Sequence, residues 1–291
     1  MHCMFRCVCT AARVLKKITV DCRVYGVTSV DNELIVLLDR FDDQVAVYSV
    51  DDYQLLRHLN LPDYLPSTDS DITSCVRHKC VYVSDSFKTR IIRYQLPSNF
   101  SGILKRVVGI HVREWSVPGR PCGLSVTPSC NLLVTCREPN RLVELSADSG
   151  ECVREIALRE DIGEPWHGVQ LAGDTDTGGQ FVVCHSGLIG LHRVCLLDGD
   201  GRIVHSYGGR SGNNVGQLKT PSHLAVDPVS QFVFVADCQN ARVVLLSPTL
   251  EFVRYVDVEQ SRVRKLHLDH ARGRLYFGPV QRYKDVAVIQ L

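Results

Sequence analysis

The sequence predicts an all-β fold, a six-bladed β-propeller whose last blade is completed by the N-terminal strand. Three observations lead to this prediction. An apolar segment recurs at a nearly constant spacing, short turns separate the strand-like segments around it, and the last copy lacks one segment that the N-terminus can supply. No stretch of the sequence sustains apolar residues at i, i+3, i+4 and i+7, so helices are not expected between the strands.

The recurring segment is an apolar strand that ends in a small or polar residue. One copy is Leu34–Asp39 and another is Val233–Asp237. The six copies end at Asp39, Asp85, Cys136, His185, Asp237 and Pro279. Successive end positions are separated by 42 to 52 residues. A period of this length is typical of a propeller blade.

Each copy has three companion segments. A first strand, marked by Pro or Gly, precedes it, as in Pro121–Leu124 and Pro221–Val226. A third strand follows a loop of about five residues, a length that suits a tight connection between antiparallel strands. Four of these third strands open on Arg90, Arg141, Arg193 and Arg242. A more polar fourth strand follows, as in Leu55–Arg57 and Phe252–Arg254. Three apolar strands and one amphipathic outer strand describe a propeller blade.

The sixth copy is incomplete. Val286–Leu291 matches the third strands, and no fourth strand follows it. The segment Ala12–Val20 matches the fourth strands instead. Pairing it with the last blade would cover a strand edge that otherwise exposes unpaired backbone groups. We therefore expect one propeller over residues 11–291, preceded by an N-terminal extension of residues 1–10.

Composition narrows the classes of function. The chain has 291 residues, with 33 Lys and Arg against 32 Asp and Glu, so no overall charge draws it to nucleic acid or to an anionic membrane. No apolar stretch approaches the ~20 residues of a spanning helix, so no membrane partner is expected. Arg6 interrupts the apolar stretch near the N-terminus, and a charged residue at such a position is untypical of a signal peptide. We therefore expect a cytoplasmic protein. Thirteen dispersed cysteines then indicate reduced thiols.

Blade five carries the most specific motif. Between Tyr207 and Asp227 it has a glycine-spaced loop, a Gly-Gln-Leu step, Pro221 and an apolar strand, and Val-Ala-Asp237 is followed by Asn240 and Arg242. This pattern resembles the NHL repeat. Blade three keeps Asn140 and Arg141 with Cys136 in the Asp position, blades one and two keep the Asp, and blades four and six depart most. The resemblance covers residues from about 11 to 291.

Within that family the chain is most similar to the C-terminal NHL domain of tripartite-motif proteins, which has six blades and the same closure. The resemblance implies a non-catalytic recognition scaffold, the substrate-recruiting module of a ubiquitin-ligase system. Its ligand would be a protein partner, with single-stranded or stem-loop RNA as the other candidate. The sequence has no paired-cysteine series of a RING finger. Ligase chemistry would therefore come from a preceding segment or a partner. No cofactor is expected, and the isolated propeller is expected to be monomeric.

One residue pattern recurs from blade to blade and predicts a structural role. An acidic residue at the end of the second strand and an arginine at the start of the third can form an ion pair across the intervening loop. The residues in this pattern are Asp39, Asp85, Asp237, Arg90, Arg141 and Arg242. Recurrence in several blades favours architecture over a single binding site.

The loops between second and third strands are expected on one face of the ring. They carry cations, aromatics and amides: Arg40, Phe41, Phe87, Lys88, Arg137, Asn140, Gln239, Arg282 and Tyr283. Aromatic and cationic side chains together can stack and clamp RNA bases. Acids in the same loops, such as Asp42 and Glu138, fit a protein partner or a solvated surface instead.

Three histidines lie in predicted first strands near the central channel: His167, His223 and His267. Three imidazoles can hold zinc, and peptide-amidating lyases of the NHL group bind a metal in this way. The alternative function is therefore a metal-dependent lyase or hydrolase with its site in the channel. Strand alternation can turn His267 away from the channel. The interpretation preferred from sequence has no metal site and no catalytic residue.

Overall fold

The strands form six four-stranded antiparallel sheets arranged in a ring, which confirms the predicted six-bladed β-propeller. The computed structural model describes residues 13–20, 22–42, 44–61, 63–96, 112–173, 178–187, 190–259, 262–279 and 285–291. Within those segments, no helix is long and apolar enough to cross a membrane.

Five blades are continuous in sequence, and each runs from an inner first strand to an outer fourth strand. Blade one contains β2 (Val24–Val30), β3 (Glu33–Leu38), β4 (Val45–Ser49) and β5 (Leu55–Leu59). Blade two contains β6 (Ile72–Cys75), β7 (Cys80–Asp85), β8 (Arg90–Gln95) and β9 (Val112–Ser116). Blade three contains β10 (Arg120–Val126), β11 (Leu132–Arg137), β12 (Arg141–Leu145) and β13 (Cys152–Ala157). Blade four contains β14 (Pro165–Leu171), β15 (Gln180–Ser186), β16 (Leu191–Leu197) and β17 (Ile203–Arg210). Blade five contains β18 (Pro221–Val226), β19 (Val233–Asp237), β20 (Arg242–Leu246) and β21 (Phe252–Val256).

Blade six joins the two ends of the chain. It contains β22 (Val263–Asp269), β23 (Arg274–Pro279), β24 (Asp285–Gln290) and, as its outer strand, β1 (Arg13–Thr19). Strand β1 runs antiparallel to β24, with Ile18 opposite Val286. Ile18 is buried, whereas most of the other β1 side chains are exposed, which is the amphipathic pattern expected of an outer strand. This is the N-terminal closure predicted from sequence.

The apolar core lies between blades. Six clusters of buried side chains occur in the described residues, and each joins two neighbouring blades around the ring. Trp115, on β9, packs in the cluster between blades two and three, with its ring 5.6 Å from that of Tyr82. Because each blade shares its core with two neighbours, the ring is stabilised by every interface, as in other repeat proteins.

Thiols contribute to this core. Seven of the ten cysteines in the described segments are buried. Burial raises the pKa of Cys122 and of Cys195 to about 11, so both thiols stay protonated near neutral pH. They pack as small apolar side chains.

Candidate functional site

One face of the ring, which we call the loop face, is formed by the loops between second and third strands and by the segments that lead into first strands. Phe41 and Phe87 lie at the tips of such loops in blades one and two and are 83% and 65% exposed. Lys88 and Gln239 are also exposed there, and Arg40 is half-buried. Arg282 and Tyr283 lie outside the described residues.

The segment between blades one and two completes this part of the face. Its Leu65 is half exposed. Lys88 forms an ion pair with Asp63 of this segment, and Ser67 hydrogen-bonds with Ser86 at 2.8 Å between their hydroxyl oxygens. The segment is therefore held against the loop that carries Phe87. We call Phe41, Leu65 and Phe87 the apolar patch.

Arginines at the start of third strands organise the loop face. In blade two, Arg90 Nε donates to Asp85 at 3.0 Å, and Arg90 Nη2 donates to the carbonyl of Asp63 at 2.8 Å. In blade five, Arg242 Nε donates to Asp237 at 2.7 Å, and Arg242 Nη2 donates to the carbonyl of Gln217 at 2.8 Å. Each arginine thus ties its own loop to the incoming segment, a second contact that the sequence pattern does not reveal.

The other members of the acid–arginine pattern behave differently. Asp39 lies 3.8 Å from Arg23, before the first strand of its own blade. Arg141 pairs with Glu155 on the neighbouring strand β13. In this blade Cys136 occupies the position of the aspartate, so the loop offers no carboxylate there for Arg141. In blade four, Arg193 Nε lies 3.2 Å from His185 Nε2. The ion pair therefore spans the loop only where both residue types are present.

Arg137 lies at the base of its loop rather than at the tip, with a side chain only 12% exposed. Its guanidinium stacks on Trp166 at 3.9 Å and lies 3.4 Å from Asp69, which also pairs with Arg120 at 2.6 Å. Arg264 reaches the same ring at 5.3 Å. We call Arg120, Arg137 and Arg264, with Trp166 and Asp69, the arginine cluster. Sequence reasoning missed it because its members come from segments far apart in the chain.

Asn140 also serves the connection between blades. Its Nδ2 donates to the carbonyl of Ile162 at 3.2 Å, in the segment that leads into blade four. Its counterpart Asn240 donates to Asp237 at 2.7 Å and to the carbonyl of Gly212 at 2.8 Å. Both amides therefore contact the protein itself.

A buried polar cluster, which we call the hub, lies in the channel and is centred on the Asp71 carboxylate. Lys265 Nζ is 3.0 Å from Asp71 Oδ1. The backbone N–H of Leu124 donates to Oδ2 at 2.9 Å, and His223 Nε2 is 3.2 Å from the same oxygen. His167 Nε2 is 3.7 Å away, and its ring stacks on that of His223. These groups come from blades two to six, so one carboxylate joins five blades.

The hydrogen bonds assign a tautomer to both hub histidines. His167 Nε2 faces the carbonyl of Leu124 at 3.0 Å and must carry the proton, because a carbonyl only accepts. His223 Nδ1 accepts from the backbone N–H of Leu266 at 3.4 Å, so its proton also sits on Nε2. Both Nε2 atoms near Asp71 are therefore donors.

This assignment bears on metal binding. One ligand atom each from Asp71, His167 and His223 lies within 4.8 Å of the other two, a spacing that a metal ion could bridge. A metal needs the lone pairs that the two Nε2 protons occupy, and the Lys265 ammonium already neutralises the carboxylate. The donor set does not fit a metal ion as it is arranged.

His267 does not join the hub. Its Nε2 accepts from the backbone N–H of Ser29 at 3.0 Å and lies 2.7 Å from the Ser29 hydroxyl. Ser74 in turn donates to the carbonyl of Ser29 at 2.7 Å. These contacts link blade six to blade one and blade one to blade two. The three histidines proposed from sequence thus separate into two hub members and one blade-joining residue.

The ionisation of the hub follows from its burial. Burial alone would raise the pKa of Asp71, but Lys265 and the two imidazoles hold that pKa far below its usual range. Burial lowers the pKa of His167 and of His223. Near neutral pH the hub is therefore a carboxylate paired with an ammonium, with two neutral imidazoles beside them.

A cavity of about 450 Å³ occupies the channel beside the hub. First-strand side chains such as Val27, Leu124 and Val169 form its walls, and it extends to Pro128 and Pro228, in loops between first and second strands. These loops lie on the face opposite to the loop face.

We expect the free energy of unfolding to fall as the pH is lowered from 6.5 towards 4. Burial lowers the pKa of His267 and of His185 to about 4, whereas an unfolded imidazole titrates near ~6.5. In this window the unfolded chain binds more protons, so acid favours unfolding. Because the pKa of Asp71 is depressed, its carboxylate stops contributing to the free energy of unfolding only at more acidic pH. Urea unfolding at several pH values measures this slope, which His267→Asn is expected to reduce; a flat profile would contradict the assignment.

No protein-family model matches the chain, and no curated protein sequence matches it. Solved structures do. A streptogramin B lyase is similar with a TM-score of 0.61 and 10% identity, over 96% of this chain and 87% of that chain. A catalytically inactive variant of virginiamycin B lyase from Staphylococcus aureus, with quinupristin, is similar with a TM-score of 0.62 and 11% identity, over 96% of this chain and 99% of that chain. Identities this low establish a shared propeller fold and no more.

Proposed function

We propose that this chain is a non-catalytic recognition module that binds a protein partner through the loop face. The observation that carries the proposal is the apolar patch. Phe41 and Phe87 expose large aromatic surfaces on adjacent blades, and Leu65 lies in the segment between those blades. Large exposed side chains grouped on one face are typical of protein interaction sites, where aromatic residues supply much of the binding energy.

The hub supports a binding role rather than catalysis. A general base or a metal ligand needs an available lone pair within reach of a substrate. In the hub, the Nε2 atoms carry protons, and Asp71 is bound by Lys265, Leu124 and His223. A metal-dependent lyase or hydrolase remains the alternative, favoured by the proximity of Asp71, His167 and His223.

The finer proposal is an NHL-type propeller that recruits substrates for a ubiquitin-ligase system of the tripartite-motif kind. Support comes from blade five, where the motif residues contact one another. Arg242 donates to Asp237 and to the carbonyls of Asn213 and Gln217, so it fixes the glycine-spaced loop. We further propose a cytoplasmic, monomeric protein that requires no cofactor.

We expect the double substitution Phe41→Ser with Phe87→Ser to abolish capture of a protein partner from cell extract. Loss of two exposed aromatic anchors typically weakens binding by ~30-fold or more. The matched control is Val153→Ser with Val204→Ser, which changes two exposed apolar residues on the outer strands β13 and β17. Quantitative mass spectrometry of captured proteins measures the difference. Equal capture by both double variants would overturn the proposal.

RNA is the other candidate ligand, because bases can stack on the exposed rings of Phe41 and Phe87, beside the cation of Lys88. Binding of single-stranded RNA would weaken as salt increases. The affinity for single-stranded RNA, measured over a series of salt concentrations with the wild-type chain and with Arg137→Ala, tests this alternative. An affinity that changes neither with salt nor with the substitution excludes it.

A further inference from the structure

The arginine cluster already binds one carboxylate. Both Asp69 oxygens are engaged, one by Arg120 at 2.6 Å and the other by Arg137 at 3.4 Å. Asp69 is itself buried. The guanidinium groups are thus arranged for a planar anion, the geometry in which arginine binds carboxylates most strongly.

Positive charge exceeds negative charge at this place. Arg264 donates Nη2 to the carbonyl of Thr68 at 2.6 Å but has no carboxylate partner among the described residues. Arg137 Nη2 is buried and has no acceptor within the same part of the chain. Burial lowers the pKa of the Arg264 guanidinium. Three arginines therefore face a single internal carboxylate.

Trp166 holds these groups in place. Its ring lies under Arg137 at 3.9 Å and within 5.3 Å of Arg264, and its Nε1 donates to Ser186 at 2.7 Å. Two stacked guanidinium groups on a fixed ring have little freedom left to lose on binding a ligand. The ring itself is partly exposed, so the cluster can be reached from the loop face.

The arginine cluster adjoins the apolar patch. Thr68 and Asp69 bind the arginines, and Ser67, one residue earlier, bonds to Ser86 beside Phe87. The segment 65–69 therefore connects the two. A ligand that covers both would need apolar side chains and a negative group a few residues apart.

We propose that the arginine cluster binds a carboxylate side chain, Asp or Glu, of a partner's peptide segment whose apolar residues cover the apolar patch. This inference rests on the proposed function and names the chemistry of the partner. A peptide is favoured over RNA because the face around the cluster carries the exposed acids Asp42, Glu138 and Glu164. These acids would repel an extended polyanion but leave room for a single carboxylate.

The test uses the full chain and a fluorescein-labelled decapeptide of alternating leucine and glutamate. The matched probe has glutamine in place of glutamate, and decauridylate serves as the RNA probe. Anisotropy should show binding of the glutamate peptide, weaker binding of the glutamine peptide by about 10-fold or more, and a similar loss for Arg137→Gln and Arg264→Gln. In amide NMR spectra, the Trp166 indole signal should shift on titration, while the buried Trp115 signal stays in place.

Further variants separate misfolding from loss of binding. Arg120→Gln changes a more exposed member of the cluster, and Arg202→Gln, on a loop of the opposite face, serves as the control that should bind normally. Equal binding of the two peptides, no binding of either, or tighter binding of decauridylate that depends on Arg137 would each overturn the inference. The proposed function would survive these outcomes if the Phe41 and Phe87 double variant still lost its captured partner.

Discussion

Replacing Asp71 with asparagine is expected to lower the free energy of unfolding by about 3–5 kcal/mol, the usual cost of breaking a buried ion pair. The substitution leaves the buried Lys265 ammonium without its counter-charge, and it leaves one acceptor oxygen, in place of two, for Lys265, Leu124 and His223. Because Leu124, His223 and Lys265 lie on three blades other than that of Asp71, the whole ring should unfold at lower denaturant concentration. Equilibrium urea unfolding followed by circular dichroism measures the change.

Two further variants make this result specific. Asp51→Asn changes an exposed carboxylate in a turn of blade one and should alter the free energy of unfolding by less than about 0.5 kcal/mol. Adding Lys265→Met to Asp71→Asn removes the unpaired charge and should recover part of the loss. A loss below about 1 kcal/mol for Asp71→Asn would show that the hub does not hold the blades together.

Removing residues 1–20 is expected to destabilise the propeller on the order of 5 kcal/mol, since each lost backbone hydrogen bond contributes about 1 kcal/mol. The deletion removes β1, which pairs with β24 from Arg13 opposite Gln290 to Thr19 opposite Asp285. It also removes buried Ile18. The bare edge of β24 should pair with other chains, so self-association is expected as well.

Thermal unfolding and analytical ultracentrifugation report these two effects. A matched variant lacking only residues 1–10 keeps β1 and should unfold at the temperature of the full chain. A synthetic peptide of residues 12–20, added to the longer deletion, should restore stability, whereas a peptide of scrambled sequence should not. A longer deletion that remains monomeric and unfolds normally would contradict the closure of the ring.

The fold could be predicted from sequence because the same pattern of strands occurs in all six copies, so each copy supports the assignment of the others. The second strands recur at spacings of 42 to 52 residues, and the lone outer strand at the N-terminus has only one blade to complete. The repeat pattern did not identify the fourth strand of blade two, Val112–Ser116, because this strand carries three charged or polar residues and only its Trp115 is buried. The spacing of the repeats and the position of the unpaired outer strand are both read directly from the order of residues along the chain.

The candidate site was less predictable, because ring closure brings together residues that are distant in sequence. Asp71 lies 152 residues from His223 and 194 residues from Lys265, yet they share hydrogen bonds. A signal did exist in the first strands, where polar residues interrupt apolar runs at His167, His223 and Lys265. Sequence alone does not say which of these residues face one another. The sequence interpretation grouped His267 with His167 and His223 and did not identify Asp71, whereas in the structure His267 bonds to Ser29.

Some residues of the loop face could likewise be placed from sequence and others could not. Loop position predicts exposure, and Phe41 and Phe87 are indeed exposed at loop tips. Arg137 occupies an equivalent loop but folds back onto Trp166 and the carbonyl of Pro165, 2.9 Å from its Nε. A long side chain can reach a partner in the next blade, so its direction depends on tertiary contacts that the sequence does not encode locally.

The central claim is that the hub is a structural ion pair that joins the blades, and that it is not a metal site. Metal analysis by mass spectrometry, on protein purified without chelators, tests it most directly, combined with a thermal unfolding scan with and without added zinc. We predict substoichiometric metal and an unchanged unfolding temperature, because Asp71 is neutralised by Lys265 and the facing imidazole nitrogens carry protons. Stoichiometric metal that is lost in Asp71→Asn and that raises the unfolding temperature would contradict the account and favour a metal-dependent enzyme.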